Sequence, residues 1–332
     1  MNLRRGAFAV GGLALAFVVL APLTSLEAAQ QAGLPLLTDK LWFRIATTVA
    51  MFVVMASAWN IIGGLTGYAS FGNVAFFGLG AYTTGAVVSN LQWPFALALV
   101  LAPLVAAAFA LIVGIPLLRL RGHYFAVATL GVGVAVGEVV NNIEPLGAAT
   151  GLFLPIVRSD LFFFYLMLGA AFLAVLTTWV ILRTRFGYGL LAIRENEEAA
   201  AVIGVNTTFY KVAAFCIAAA LTGIAGAIFA QWNSFINQDN AFAISDNVQM
   251  ILMAVIGGTG TVLGPVAGAI SLELIIQTLA GGGSGSVFSQ IGLGVLLAVC
   301  VIFIPRGVID FFGGRSRLSL RYFRRTLRET SA

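Results

Sequence analysis

Charge is what this sequence has least of. Asp, Glu, Lys and Arg make up 9% of its 332 residues, where a soluble domain carries about 25%, so the chain cannot build an ordinary water-facing surface. Histidine occurs once, as His123, which leaves no paired-ligand spacing for a metal and no Ser-His-Asp arrangement. His123 follows Arg121 at an expected membrane boundary, with no carboxylate or cysteine near it in sequence, and reads as an interfacial or capping residue. Lysine occurs twice, as Lys40 after Asp39 and Lys211 after Tyr210. Neither stands in the G-x-x-x-x-G-K-[ST] pattern that cradles a nucleotide phosphate, so any ATP hydrolysis must come from another subunit. The two cysteines, Cys216 and Cys300, lie far apart in apolar runs and read as packing residues, with no disulfide framework or metal motif.

What is present is apolar: 60% of the residues are hydrophobic and 38 are glycine. Small residues let transmembrane helices approach closely, and a span needs about 20 largely apolar residues. Apolar runs broken by polar residues predict ten spans, near 7–26, 45–62, 74–90, 95–118, 124–142, 161–182, 210–230, 247–258, 263–280 and 287–304. The eighth is short and ends in glycine, as half of a broken helix would. The first, from Ala7 to Leu23, exceeds the 7 to 15 residues of a signal-peptide core and reads as a retained helix. This divides the chain into an N-terminal helix and external loop at 1–40, a transmembrane domain at 41–307 and a basic cytoplasmic tail at 308–332.

Cytoplasmic loops carry the positive excess. With ten spans, Arg4, Arg5, Arg119, Arg121, Arg183, Arg185, Arg194, Lys211 and the cluster from Arg306 to Arg328 fall on one side, which places both termini in the cytoplasm. Glu144, Arg158, Asp160, Asp239 and Asp246 fall outside, and Lys40 and Arg44 violate the rule. The tail from Arg315 to Arg328 holds six arginines with Tyr322 and Phe323. Beside a membrane such a cluster binds anionic lipid headgroups, and a nucleic-acid partner is not indicated.

The longest cytoplasmic loop, 183–211, spells a short capped helix. Asn196 can cap its start, Glu197 and Glu198 then sit where the helix dipole favours acids, Gly204 stops it, and Asn206 or Thr207 caps the next span. Ala199, Val202 and Ile203 share one small apolar face, and a helix this short needs a partner surface to be stable.

Four stretches together resemble a family. Glu198-Ala199-Ala200-x-x-x-Gly204 resembles the EAA loop of binding-protein-dependent ABC importers. Gly64-Leu-Thr-Gly67-Tyr-Ala-Ser70-Phe-Gly72-Asn73 running on to Tyr82 is similar to the segment after the second span of branched-chain amino acid permeases. Leu118-Arg119-Leu-Arg121-Gly122-His-Tyr124-Phe125-Ala126 is similar to the M-type subunit of that pair, and Gly257-Gly258-Thr259-Gly260-Thr261-x-x-Gly264-Pro265 completes the set. The likeness spans 41–307. It implies an all-α, polytopic transmembrane helix bundle of the type II importer arrangement, without catalytic residues, in the bacterial inner membrane. It implies an H-type permease, two ABC ATPase subunits holding ATP and Mg2+, and a periplasmic amino-acid-binding protein as partners. In that reading Arg194, Glu195, Glu198, Ala199, Ala200, Ile203 and Gly204 form the loop that docks on the ATPase.

The glycine-rich stretches at 63–73 and 257–265 interrupt hydrophobic runs in corresponding halves of the chain. Such breaks point either to a transport pathway or to close helix crossings. Glu138 and Glu273 lie in apolar runs, where a carboxylate meets a substrate ammonium or serves a hydrogen-bonded structural role. Candidate pathway residues are therefore Gly67, Ser70, Asn73, Tyr82, Glu138, Gly257, Gly258, Thr259 and Glu273. Two rivals remain: the same permease with urea or short amides as cargo, and a secondary transporter with Glu138 and Glu273 as proton relays.

Overall fold

The computed structural model describes residues 40–280. They form an all-helical bundle with one two-residue ribbon. In chain order the helices are α1 (Lys40–Trp59), α2 (Asn73–Gly85), α3 (Phe95–Leu117), α4 (His123–Asn141), α5 (Asp160–Arg183), α6 (Arg185–Glu195), α7 (Glu197–Val202), α8 (Thr207–Asn233), α9 (Gln238–Ala241), α10 (Ile244–Gly257) and α11 (Gly264–Ala280). π-helical turns extend α1 over Asn60–Gly64 and α2 over Ala86–Asn90. Strand β1 (Leu152–Phe153) pairs antiparallel with β2 (Phe235–Ile236) at the end of the bundle opposite α7.

The bundle is built around α1 and α8. Val54, Met55, Ala56, Ala58, Ile61 and Ile62 of the first helix and its π turn are fully enclosed, and α8 packs along both α2 and α3. Small residues permit that approach. A Cβ added at Gly226 would lie 2.0 Å from the carbonyl oxygen of Phe77, and one at Gly80 would lie 2.2 Å from that of Gly223. Helix α3 turns a stripe of Ala98, Ala102, Ala106, Ala110 and Gly114 inward while Leu97, Val100, Leu104, Leu111 and Ile112 stay exposed. Small residues inside and large apolar ones outside is the pattern of a helix whose outer solvent is lipid.

The expected count of ten spans is not confirmed. Among the described residues six segments are long and apolar enough to cross a membrane: Phe43–Gly64, Phe95–Leu117, His123–Asn141, Asp160–Arg183, Thr207–Asn233 and Gln238–Gly257. The expected third span is α2 with its π turn, whose α-helical part has 13 residues, nearly all buried. The eighth reaches crossing length because the capped turn α9 precedes α10, with a break at Phe242 and Ala243. The ninth, α11, has 17 residues. The spans expected at 7–26 and 287–304, the basic tail and Cys300 lie outside the described residues.

Candidate functional site: a capped loop helix wired to two backbone breaks

The loop folds into two helices, α6 and α7. Asn196 lies between them in extended backbone, and its side-chain oxygen accepts from the Ala199 amide at 3.0 Å, capping α7. Gly204 ends the turn with φ +90°, the left-handed conformation that glycine adopts without penalty. The Val205 amide donates back to the Ala200 carbonyl at 3.0 Å. Asn206 then accepts from the Phe209 amide at 3.1 Å and opens α8. Val202 and Ile203 stand out from the protein, 87% and 75% exposed, with Ala199 beside them. Ala200 does not share that face: it is 2% exposed and packs inward. Its place in the expected docking set is corrected accordingly, since along a helix the next residue points about 100° away.

Beneath α7 lies a buried charge cluster. Lys211, 4% exposed, donates to Glu197 Oε1 at 2.6 Å, to the Leu118 carbonyl at 3.0 Å and to the Tyr68 hydroxyl at 3.1 Å. The Tyr68 hydroxyl donates to Glu197 Oε2, and the ammonium lies 4.6 Å from the Tyr68 ring centre. Burial works against the Glu197 carboxylate, yet the hydrogen bonds from Lys211 and Tyr68 and the nearby positive charge outweigh it and hold its pKa below the usual range. The same burial, reinforced by the carboxylate, pushes the Tyr68 phenol far above its ordinary value. Glu198 meets Arg121 at 2.7 Å with both side chains well exposed, a pair that contributes little to stability. Glu195 is exposed at the end of α6.

Arg194 carries the loop into the membrane domain. Its Nη1 donates to the Gly64 carbonyl at 2.7 Å. The side chain also runs against Gly67, and a Cβ at Gly260 would lie 2.4 Å from Nη1. Gly67 and Gly260 both have positive φ, +78° and +79°. Asn60 joins the two breaks directly, donating to the Thr261 carbonyl at 2.9 Å and accepting from the Gly260 amide at 2.7 Å. The nonhelical backbone of the first break is satisfied from three further helices: Trp59 Nε1 donates to the Ser70 carbonyl at 2.7 Å, Thr129 Oγ1 accepts from the Phe71 amide at 3.0 Å, and Asn247 donates to the Phe71 carbonyl at 2.5 Å. Irregular backbone inside a membrane persists under that condition.

The sequence pattern of the branched-chain amino acid transport system permease component matches residues 41–304. The chain belongs to this family. The high-affinity branched-chain amino acid transport system permease protein LivM of Salmonella typhimurium is 31% identical over 297 residues, covering 80% of this chain and 69% of LivM. LivM of Escherichia coli is 30% identical over 298 residues with the same coverage. A shorter likeness, 31% over 111 residues and 32% of each chain, is to the autoinducer 2 import system permease protein LsrC of Salmonella paratyphi B. The chain is thus a multi-pass membrane transport permease.

The expected pathway residues occupy several settings in the bundle. Ser70 and Asn73 are fully buried in the first break, and both side-chain polar atoms of Asn73 are without hydrogen-bond partners among the described residues. The Tyr82 hydroxyl is likewise buried and unpaired, with its ring stacked on Phe242 at 5.8 Å. Gly257 and Gly258 are buried at the second break and Thr259 is partly exposed. Glu273, 2% exposed, accepts from Gln249 at 3.2 Å and from Gln277 at 2.7 Å, a hydrogen-bonded setting between α10 and α11. Glu138 is not in the bundle interior. It is exposed near the end of α4 and accepts from Gln238 at 2.8 Å.

Four residues of the permease site escape a reading by pattern alone: Asn60, Tyr68, Thr129 and Asn247. A polar side chain in an apolar run is the available signal, but its partner lies 201 residues away for Asn60 and 129 for Tyr68. Lys211 and Glu197 are visible in the sequence, as a topology-setting cation and a dipole-favoured acid. Their pairing is a product of the fold.

Proposed function

We propose that this permease is one of two membrane-spanning subunits of an ATP-driven importer for branched-chain or related hydrophobic amino acids, seated in the bacterial inner membrane with both termini in the cytoplasm. The observation that supports it best is the two-sided character of α7. Its outer face is apolar and exposed, at Val202 and Ile203, and its inner side is fastened through Glu197 to Lys211 and Tyr68. A helix docked on its outer face and held on its inner side transmits displacement. In this reading two ABC ATPases carrying ATP and Mg2+ close beneath the loop, Glu198 and Arg121 flank the contact, and α6 and α7 move together. Arg194 passes that movement to Gly64 and Gly260, so both breaks shift relative to α1. An H-type permease completes the pathway, and a periplasmic binding protein delivers the amino acid to the opposite end. No bond is made or broken in the permease itself.

Ile203→Glu tests the reading. It places a carboxylate on the exposed face without disturbing the interior, and uptake by membranes holding normal amounts of the protein should fall at least tenfold. Unimpaired ATP-dependent uptake in that variant would refute the docking role. A second cargo reading draws on the likeness to LsrC, named for autoinducer 2 import. Competition of labelled leucine uptake by that compound, by urea and by short amides separates the cargoes.

A further inference from the structure

Helices α3, α4 and α5 each leave one face uncovered among the described residues, and the three faces are not written alike. α3 exposes Leu97, Val100, Leu104, Leu111 and Ile112, and α5 exposes Leu161, Phe162, Phe172, Leu173 and Leu176. Both faces are made of large apolar side chains, which lipid tails solvate well. α4 turns Phe125, Thr129, Gly133 and Gly137 inward and exposes Tyr124, Val127, Gly131, Val134 and Glu138. These positions are spaced alternately by three and four residues, so they form one stripe along the helix.

Two members of the α4 stripe do not suit lipid. The 19 residues of α4 reach about 28 Å, no more than the hydrocarbon thickness of about 30 Å. Glu138 lies three residues from the end of that helix and so falls inside the hydrocarbon thickness, where a carboxylate faces protein or a water-filled path. Gly131 is the second. A Cβ added there meets nothing within 4 Å, so no contact among the described residues calls for a glycine, whereas a second helix could use that space to approach closely. Gly169 of α5 is equally open, but residues 161–182 around it hold no charged side chain.

On the importer reading given above, we propose that this stripe of α4 is the surface against which the second permease subunit packs, while the outer faces of α3 and α5 meet lipid. The chemistry of the opposing surface follows from the stripe. It is apolar at the level of Val127, Gly131 and Val134, and close enough that no side chain fits above Gly131. At the level of Glu138, toward the end away from α7, it brings a hydrogen-bond donor or a cation.

The two open glycines make a matched test. Gly131→Leu should not lower the melting temperature of the purified full-length chain, because the new side chain meets none of the described residues. In the assembled transporter it should lower uptake by about tenfold, as overpacking a close contact weakens association by that much or more. Gly169→Leu, on the lipid face, should leave both as they are. A photo-crosslinking side chain at position 134, in native membranes holding the whole transporter, should capture the second permease, identified by mass spectrometry of the adduct. The same group at position 104 of α3 should capture lipid. Recovery of a second permease with the tagged parent chain tests the importer reading by itself, and a chain recovered without one overturns that reading and the surface with it. With the complex in hand, the surface alone is overturned by full uptake in Gly131→Leu. It is overturned equally by a crosslink from position 134 to lipid, to a second copy of this chain or to its own residues 1–39 or 281–332.

Discussion

The two glycine-rich breaks are written in similar residues and held in different ways. The first borrows its order. Trp59, Thr129, Arg194 and Asn247, on α1, α4, α6 and α10, hydrogen-bond the backbone of Gly64, Ser70 and Phe71. The second is capped half by itself and half from α1: Thr261 Oγ1 donates to the Gly258 carbonyl and accepts from the Gly264 amide, each at 2.9 Å, and Asn60 donates to the Thr261 carbonyl and accepts from the Gly260 amide. A segment whose partners sit on four helices shifts whenever those helices shift, whereas a self-capped turn moves as a rigid piece. Under the proposed coupling, the first break is the entry point for motion and the second its follower.

The largest effect is expected where the first break meets the loop. Lys211→Met leaves the Glu197 carboxylate without its counter-ion beside a buried phenol, and removing one partner of a buried pair costs about 3–5 kcal/mol. The variant should unfold at distinctly lower temperature in detergent and lose uptake, with Lys211→Arg restoring part of both. A Lys211→Met protein as stable and active as the parent would break the claim that α7 is fastened to the first break.

Next in size is the link between the breaks. Asn60→Leu leaves the Gly260 amide and the Thr261 carbonyl unpaired, roughly 2–4 kcal/mol in all, and should uncouple the follower. Asn60→Asp keeps the acceptor for the Gly260 amide but removes the donor, so its thermal stability should fall between. Uptake that survives Asn60→Leu would show that the second break does not take its motion from α1.

Acid provides a third and milder lever on the first break. The folded Glu197 pKa lies below its unfolded value, so the stability it contributes is fully present above the ordinary carboxylate pKa of about 4.3. That contribution is lost as pH falls through the depressed folded value. The melting temperature of the parent should therefore hold down to about pH 5 and then decline, whereas Glu197→Gln should start lower and show a shallower decline. Parallel profiles would remove Glu197 from the account.

Much of the architecture was legible because lipid imposes strict rules on a chain. The span at 95–118, the caps at Asn196 and Asn206, the stop at Gly204 and both glycine breaks follow from spacing and residue type. Span number was less legible. The buried α2 is apolar without being long, α10 reaches crossing length only with α9 before it, and hydropathy reports environment better than it reports crossing. Periodicity placed Ala199, Val202 and Ile203 on the outer face, whereas Ala200 joined the expected docking set through the family resemblance, which does not tell an outward residue from an inward one. The Glu197, Lys211 and Tyr68 cluster was beyond the sequence for a different reason: a charge near a loop reads as solvated until the fold closes over it.

The smallest effect gives the sharpest comparison. Thr261→Val is nearly isosteric and removes both hydrogen bonds with which the second break caps itself, while Thr129→Val removes one acceptor from the first, at the Phe71 amide. On hydrogen-bond count alone Thr261→Val should be the more destabilising, at about 1–2 kcal/mol against about 1 kcal/mol. On function the order should reverse. If the first break receives the motion, loosening it by one bond impairs uptake more than a larger loss in a segment that only follows. Thermal unfolding and initial uptake rates measured on the same two preparations would then rank the variants in opposite orders, and a shared ranking would mean that the two breaks differ in how they are held but not in what they do.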